Sequence, residues 1–111
     1  MPTACTITGC KFLVPAELEA ERVCLAHFLV RVDQTCAEMR RETVMGKASA
    51  ERRAEIIAFI ASHGDQLARV STSGLRISDE LKGHVLNTFL TLINLRENLD
   101  RAAQRAAPAP K

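Results

Sequence analysis

Tryptophan and tyrosine are absent from this chain of 111 residues, and four phenylalanines are its only aromatic side chains. A core built without large rings must come from Leu, Ile, Val and Ala, a composition that favours helix over strand. Long apolar runs are missing too. The longest apolar region, Val85 to Leu95, is interrupted by Asn87, Thr88, Thr91 and Asn94 and falls short of the ~20 residues that a membrane-spanning helix needs. The first fifteen residues carry neither an early basic cluster nor a continuous apolar segment, so no export signal is expected. Ile7-Thr8-Gly9-Cys10 matches a lipoprotein cleavage box only in isolation, because the six residues before it form no hydrophobic segment. The expectation is a cytoplasmic protein with reduced thiols and no membrane contact.

An excess of one charge is lacking as well. Fifteen basic and 13 acidic residues leave a formal charge of +2, without the strong basic field of a dedicated nucleic-acid binder. The chain has no nucleophile elbow, no phosphate-binding glycine loop and no paired-carboxylate signature, and His63 and His84 are lone histidines without a carboxylate at a decisive spacing. Neither catalysis nor a small-molecule substrate is expected. Hydrophobic content of 47%, with 25% charged residues, is that of one ordinary folded domain.

Against these absences stands Cys5-Thr-Ile-Thr-Gly-Cys10, followed by Cys24-Leu-Ala-His27, a C-x4-C-x13-C-x2-H pattern. Three soft thiolates and an imidazole suit Zn²⁺ better than harder ions, and four protein ligands leave no open position for water or substrate. The expected site is therefore structural, with one zinc per chain on Cys5, Cys10, Cys24 and His27. Three bound thiolates would bring the protein close to neutral. The competing readings are a Cys5–Cys10 disulfide and a set of buried, reduced thiols. Gly9 supplies the tight turn that lets both leading sulfurs face one ion.

The pattern resembles the small bacterial zinc-finger motifs, in which C-x4-C, a short hairpin or loop, and C-x2-H at a helix start close round one zinc. Gly9 before Cys10 and Phe28 after His27 match that pattern, and the resemblance covers Cys5 to Phe28. The stretch between the two halves is longer here and rich in Glu. Two starts for the first helix therefore stay open, one at Pro15 and one near Cys24.

The remainder reads as an all-α protein: a three-helix antiparallel bundle with a zinc-stapled N-terminal arm. One domain spans 1–106, with a metal-knuckle arm over 1–14, helices over 16–44, 49–70 and 78–106, and a disordered Ala/Pro tail over 107–111. Pro15 and the acids Glu17, Glu19 and Glu21 favour a helix start. At about 100° per residue, Leu18, Leu25, Phe28, Leu29, Val32, Cys36 and Met39 share one stripe. Cys36 reads as a small core hydrophobe, and replaces Cys5 on the metal only if this helix breaks near Val32. Ser49 and Ser78 are expected N-caps for the second and third helices. His63-Gly64-Asp65 either kinks the second helix or breaks it, with Asp65 able to cap a restart. Turns are expected at Gly46 and Gly74.

Two surfaces draw functional readings. On the third helix, His84, Asn87, Thr91, Asn94 and Asn98 form an uncharged polar line, and Leu86, Leu90 and Ile93 widen its apolar arc beyond what one core needs. The seven other than His84 suggest a contact with another protein chain or a second copy. Arg40, Arg41, Lys47, Arg52 and Arg53 gather round the turn between helices one and two, and supply an alternative as phosphate contacts of a nucleic-acid-binding regulator. A second alternative is a redox sensor in which oxidised thiolates release the zinc. The favoured reading is a non-enzymatic interaction or assembly module.

Overall fold

The computed structural model describes residues 3–74 and 76–106; the tail expected to be disordered lies outside the described residues. The chain opens on a short hairpin. Strand β1 (Thr3–Ala4) pairs antiparallel with β2 (Leu13–Val14), with Thr3 opposite Val14 and Ala4 opposite Leu13. Between them the backbone turns at Gly9, whose φ of 84° only glycine adopts at no steric cost. The turn is closed by the Cys10 amide on the Ile7 carbonyl at 3.0 Å, and by the Cys5 amide on the Phe12 carbonyl at 3.2 Å. The expected arm is thus a hairpin.

Of the two starts left open for the first helix, the structure takes the one near Cys24, so the range 16–44 requires a correction. In place of one helix over 16–44, the chain forms a 3₁₀ helix, Ala16–Glu21, and then α1, Leu25–Val44. Arg22 separates them in the left-handed region, at φ 60°, with its amide reaching back to the carbonyls of Leu18 and Glu19. The Ala-Glu-Leu-Glu-Ala-Glu run has high α-propensity, but tertiary ties override it. The Thr6 amide and hydroxyl both hold the Arg22 carbonyl, at 3.0 and 2.9 Å, so the hairpin tip fixes the backbone at the break. Leu18 is fully buried nonetheless, now from the 3₁₀ helix instead of the stripe of α1.

Helices α2 (Ala50–Thr72) and α3 (Asp79–Ala106) start where their caps predict. Ser49 Oγ accepts the Arg52 amide at 3.0 Å and Ser78 Oγ accepts the Leu81 amide at 3.2 Å, each satisfying an otherwise orphaned donor. Asp79 and Glu80 add negative charge at the positive end of α3. Helix α2 runs through Gly64 unbroken, so the break that His63-Gly64-Asp65 allowed does not occur.

The core is aliphatic with one ring. Phe28, Leu29, Val32 and Cys36 of α1 meet Ile56, Leu67 and Val70 of α2 and Val85, Leu92, Leu95 and Leu99 of α3. Phe28 sets its edge against His63, with ring centroids 5.8 Å apart. Polar ties join these helices and the 3₁₀ segment. Glu42 accepts from Arg52, Glu21 accepts from Gln66, and Asp33 accepts from both His84 and Thr88. Among the described residues, no helix is long and apolar enough to cross a membrane.

Candidate metal centre

Hairpin, 3₁₀ helix and α1 converge on one point. Cys5 follows β1 directly, Cys10 closes the Gly9 turn, Cys24 is the N-cap of α1 and His27 lies in its first turn. Cys24 makes no side-chain capping bond, so its sulfur is left for the cluster. One helical turn separates Cys24 from His27, which places the two side chains side by side.

The Sγ atoms of Cys5, Cys10 and Cys24 and a ring nitrogen of His27 all lie within 4.8 Å of one another. His27 Nδ1 is 3.2 Å from Cys24 Sγ and 3.5 Å from Cys5 Sγ, and the sulfurs of Cys10 and Cys24 are 3.8 Å apart. A tetrahedron with Zn–S bonds of ~2.3 Å and a Zn–N bond of ~2.0 Å has edges of roughly 3.5 to 3.8 Å. The observed separations cluster round those values. All four cysteines are free, so the Cys5–Cys10 disulfide does not form in this structure.

Electrostatics at the site favour a negative sulfur. Burial pushes the Cys5 thiol up, but backbone hydrogen bonds at Cys24 and Ile7, with the Cys10 and His27 side chains beside it, outweigh burial and bring it down to about 6. Burial pushes Cys24 the other way, above its ordinary value. Cys10 and His27 are half-buried, and Cys5 and Cys24 buried, so the cluster sits just under the surface.

Cys36 is not in this group. It is 1% exposed on the core face of α1, and burial, followed by the Asp33 charge, pushes its thiol up to about 11. The unbroken helix from Leu25 to Val44 removes the condition under which it would replace Cys5.

The other sequence-selected groups are arranged differently from their linear grouping. Of the five basic residues, Arg52 pairs with Glu42 at 3.0 Å and with Glu55 at 3.7 Å, and Arg53 donates to the Ala48 carbonyl at 2.9 Å. Arg40, Arg41 and Lys47 remain exposed. The seven α3 residues split between two faces. Leu86, Leu90 and Ile93 stand at 60%, 50% and 52% exposure. Thr91, Asn94 and Asn98 instead line a groove towards Cys36, Ala37 and Arg40 of α1, while Asn87 is exposed and its carbonyl accepts from the Thr91 hydroxyl.

One polar constellation escaped sequence reasoning. His84 Nε2 lies 2.8 Å from Asp33 Oδ2, and Thr88 Oγ1 donates to Asp33 Oδ1 at 2.9 Å. Asp33 is the carboxylate that His84 lacked in the sequence. It lies 51 residues away, where no local spacing signals it.

No protein-family model, no curated protein and no solved structure matches this chain. Fold and site together define a mostly helical protein with a Cys₃His group close enough to hold a metal ion.

Proposed function

We propose that Cys5, Cys10, Cys24 and His27 hold one structural Zn²⁺ per chain, and that the protein is a non-enzymatic interaction or assembly module. The ion staples the N-terminal arm to an antiparallel three-helix bundle. The observation that carries this reading is the approach of four ligand atoms, from residues spread over 5 to 27, to within 4.8 Å of one another. Three sulfurs and one imidazole nitrogen are a donor set suited to zinc, and four protein ligands fill its tetrahedron. A filled tetrahedron polarises no substrate.

The bundle reading is supported by the order of the polar ties. Glu42 meets Arg52 beside the first turn, whereas Glu21 meets Gln66 near the far end of the following helix, the reversed order of antiparallel neighbours. The interaction role is supported by the apolar side chains that α3 presents to solvent. The nucleic-acid alternative keeps only Arg40, Arg41 and Lys47 as uncommitted cations, and no affinity for nucleic acid at low salt is expected.

Chelation tests the site. Removal of zinc, or the pair of changes Cys24→Ser and His27→Ala, is expected to free the hairpin, expose it to limited proteolysis and lower the urea midpoint. Full stability and an intact protease pattern after strong chelation would oppose the reading.

A further inference from the structure

Helix α3 carries a second apolar stripe, separate from its core face. At about 100° per residue, Lys82, Leu86, Leu90, Ile93 and Glu97 fall within one arc of ~80°, turned away from the arc of Val85, Leu92, Leu95 and Leu99. Its three aliphatic side chains are at least half exposed, and its two charged ends are 64% and 56% exposed. Resting on the reading of α3 as the interaction surface, we propose that this stripe pairs antiparallel with the same stripe of a second copy of the chain.

The stripe is self-complementary. A two-fold axis midway between Phe89 and Leu90 sets Leu86 against the partner's Ile93 and brings the two Leu90 side chains together beside the axis. The same axis sets Lys82 against the partner's Glu97, twice per dimer. A parallel pairing would instead set Lys82 beside the partner's Lys82 and oppose like charges at both ends. An isologous contact demands this symmetry about one point, and apolar positions and charges both have it.

Neither end charge has a strong partner within its own chain. Lys82 reaches Asp79 at 3.9 Å and Glu97 reaches Arg101 at 3.7 Å, long contacts between exposed groups that contribute little. Beside the stripe, Val70, Ile77, Val85, Leu86 and Phe89 line a shallow groove of about 290 Å³ between α2 and α3. In the proposed register the partner's Ile93 lies opposite this groove, so that a branched side chain enters it as a knob enters a hole.

Sedimentation equilibrium of the full chain with bound metal tests the pairing. The average mass should rise with concentration towards twice the 12.2 kDa of one chain. Leu90→Asp should hold it at one chain with an unchanged far-UV circular dichroism spectrum. Lys82→Glu and Glu97→Lys should each weaken association roughly two- to thirty-fold at low salt, as expected when two weak charge pairs turn repulsive. Mixing these two variants should restore it, because each supplies the charge that the other lacks. A strict monomer at millimolar concentration would overturn the second-copy proposal and leave α3 free for a different chain. A dimer that survives Leu90→Asp would overturn both this proposal and the reading of α3 as the interaction surface. A dimer lost in Leu90→Asp but not restored by mixing would overturn the antiparallel register.

Discussion

Replacing Asp33 by Ala should destabilise the protein by about 2 kcal/mol, and the figure follows from which partner is left behind. The carboxylate accepts from His84 Nε2 at 2.8 Å and from Thr88 Oγ1 at 2.9 Å. His84 is part-exposed and water can replace its lost partner, whereas Thr88 is 0% exposed. An orphaned buried hydroxyl costs on the order of 1–3 kcal/mol, and turning it onto the carbonyl four residues back recovers part of that. For a domain of this size the melting temperature should fall by roughly 5–10 °C. Thr88→Val removes the donor itself and fills the same space, so Asp33→Ala made in that background should cost about 1 kcal/mol less than alone. Urea melts of the wild type, both single variants and the double variant provide the cycle. Strict additivity, or an Asp33→Ala protein within 0.5 kcal/mol of wild type, would refute the claim that this carboxylate ties α1 to α3.

Three further outcomes are expected. The Glu21 carboxyl is held below the ordinary carboxylate range, chiefly by the Gln66 amide, with burial opposing and Arg31 assisting. Its contribution is therefore present above the unfolded value of ~4.3 and lost as pH falls through the lower folded value, so Glu21→Gln should lower the urea midpoint more at pH 7 than in acid below the unfolded value; an equal deficit at both would contradict this. Cys36, at about 11 and buried, should resist iodoacetamide at pH 8 until the protein unfolds, while Cys5 and Cys10 are modified before it once metal is stripped, as peptide mass mapping would read. Gly64 and Gly46 should respond with opposite signs: Gly64→Ala lies in open space within α2 and should stabilise by about 0.5–1 kcal/mol, whereas Gly46→Ala, at φ 71°, should destabilise by about 1 kcal/mol, as judged from urea midpoints.

What the sequence disclosed, it disclosed through local chemistry. Ser49 and Ser78 announced the starts of α2 and α3 because a capping hydroxyl acts on an amide three residues away. Cys24 and His27 were legible for the same reason, since one turn of helix fixes their adjacency. The beginning of α1 was not legible, because residues 16–21 have the composition of an α-helix and only the distant hold of Thr6 on Arg22 turns them into a 3₁₀ segment. Asp33 and His84 were invisible as a pair, being joined across helices. The arginine group looked like one patch because its members are close in sequence, yet the α2 terminus commits Arg52 to Glu42 and Arg53 to a carbonyl. The α3 set likewise mixed two faces that only the packing of α1 separates.

Zinc K-edge X-ray absorption on protein purified without added metal, together with elemental analysis, reads the ligand shell directly. A zinc held by Cys5, Cys10, Cys24 and His27 should give one ion per chain, with three sulfurs at ~2.3 Å and one nitrogen at ~2.0 Å, and the loss of one sulfur from that shell in Cys10→Ser. A shell of oxygen and nitrogen only, a sulfur count unchanged in that variant, or a folded protein that takes up no zinc would contradict this ligand set.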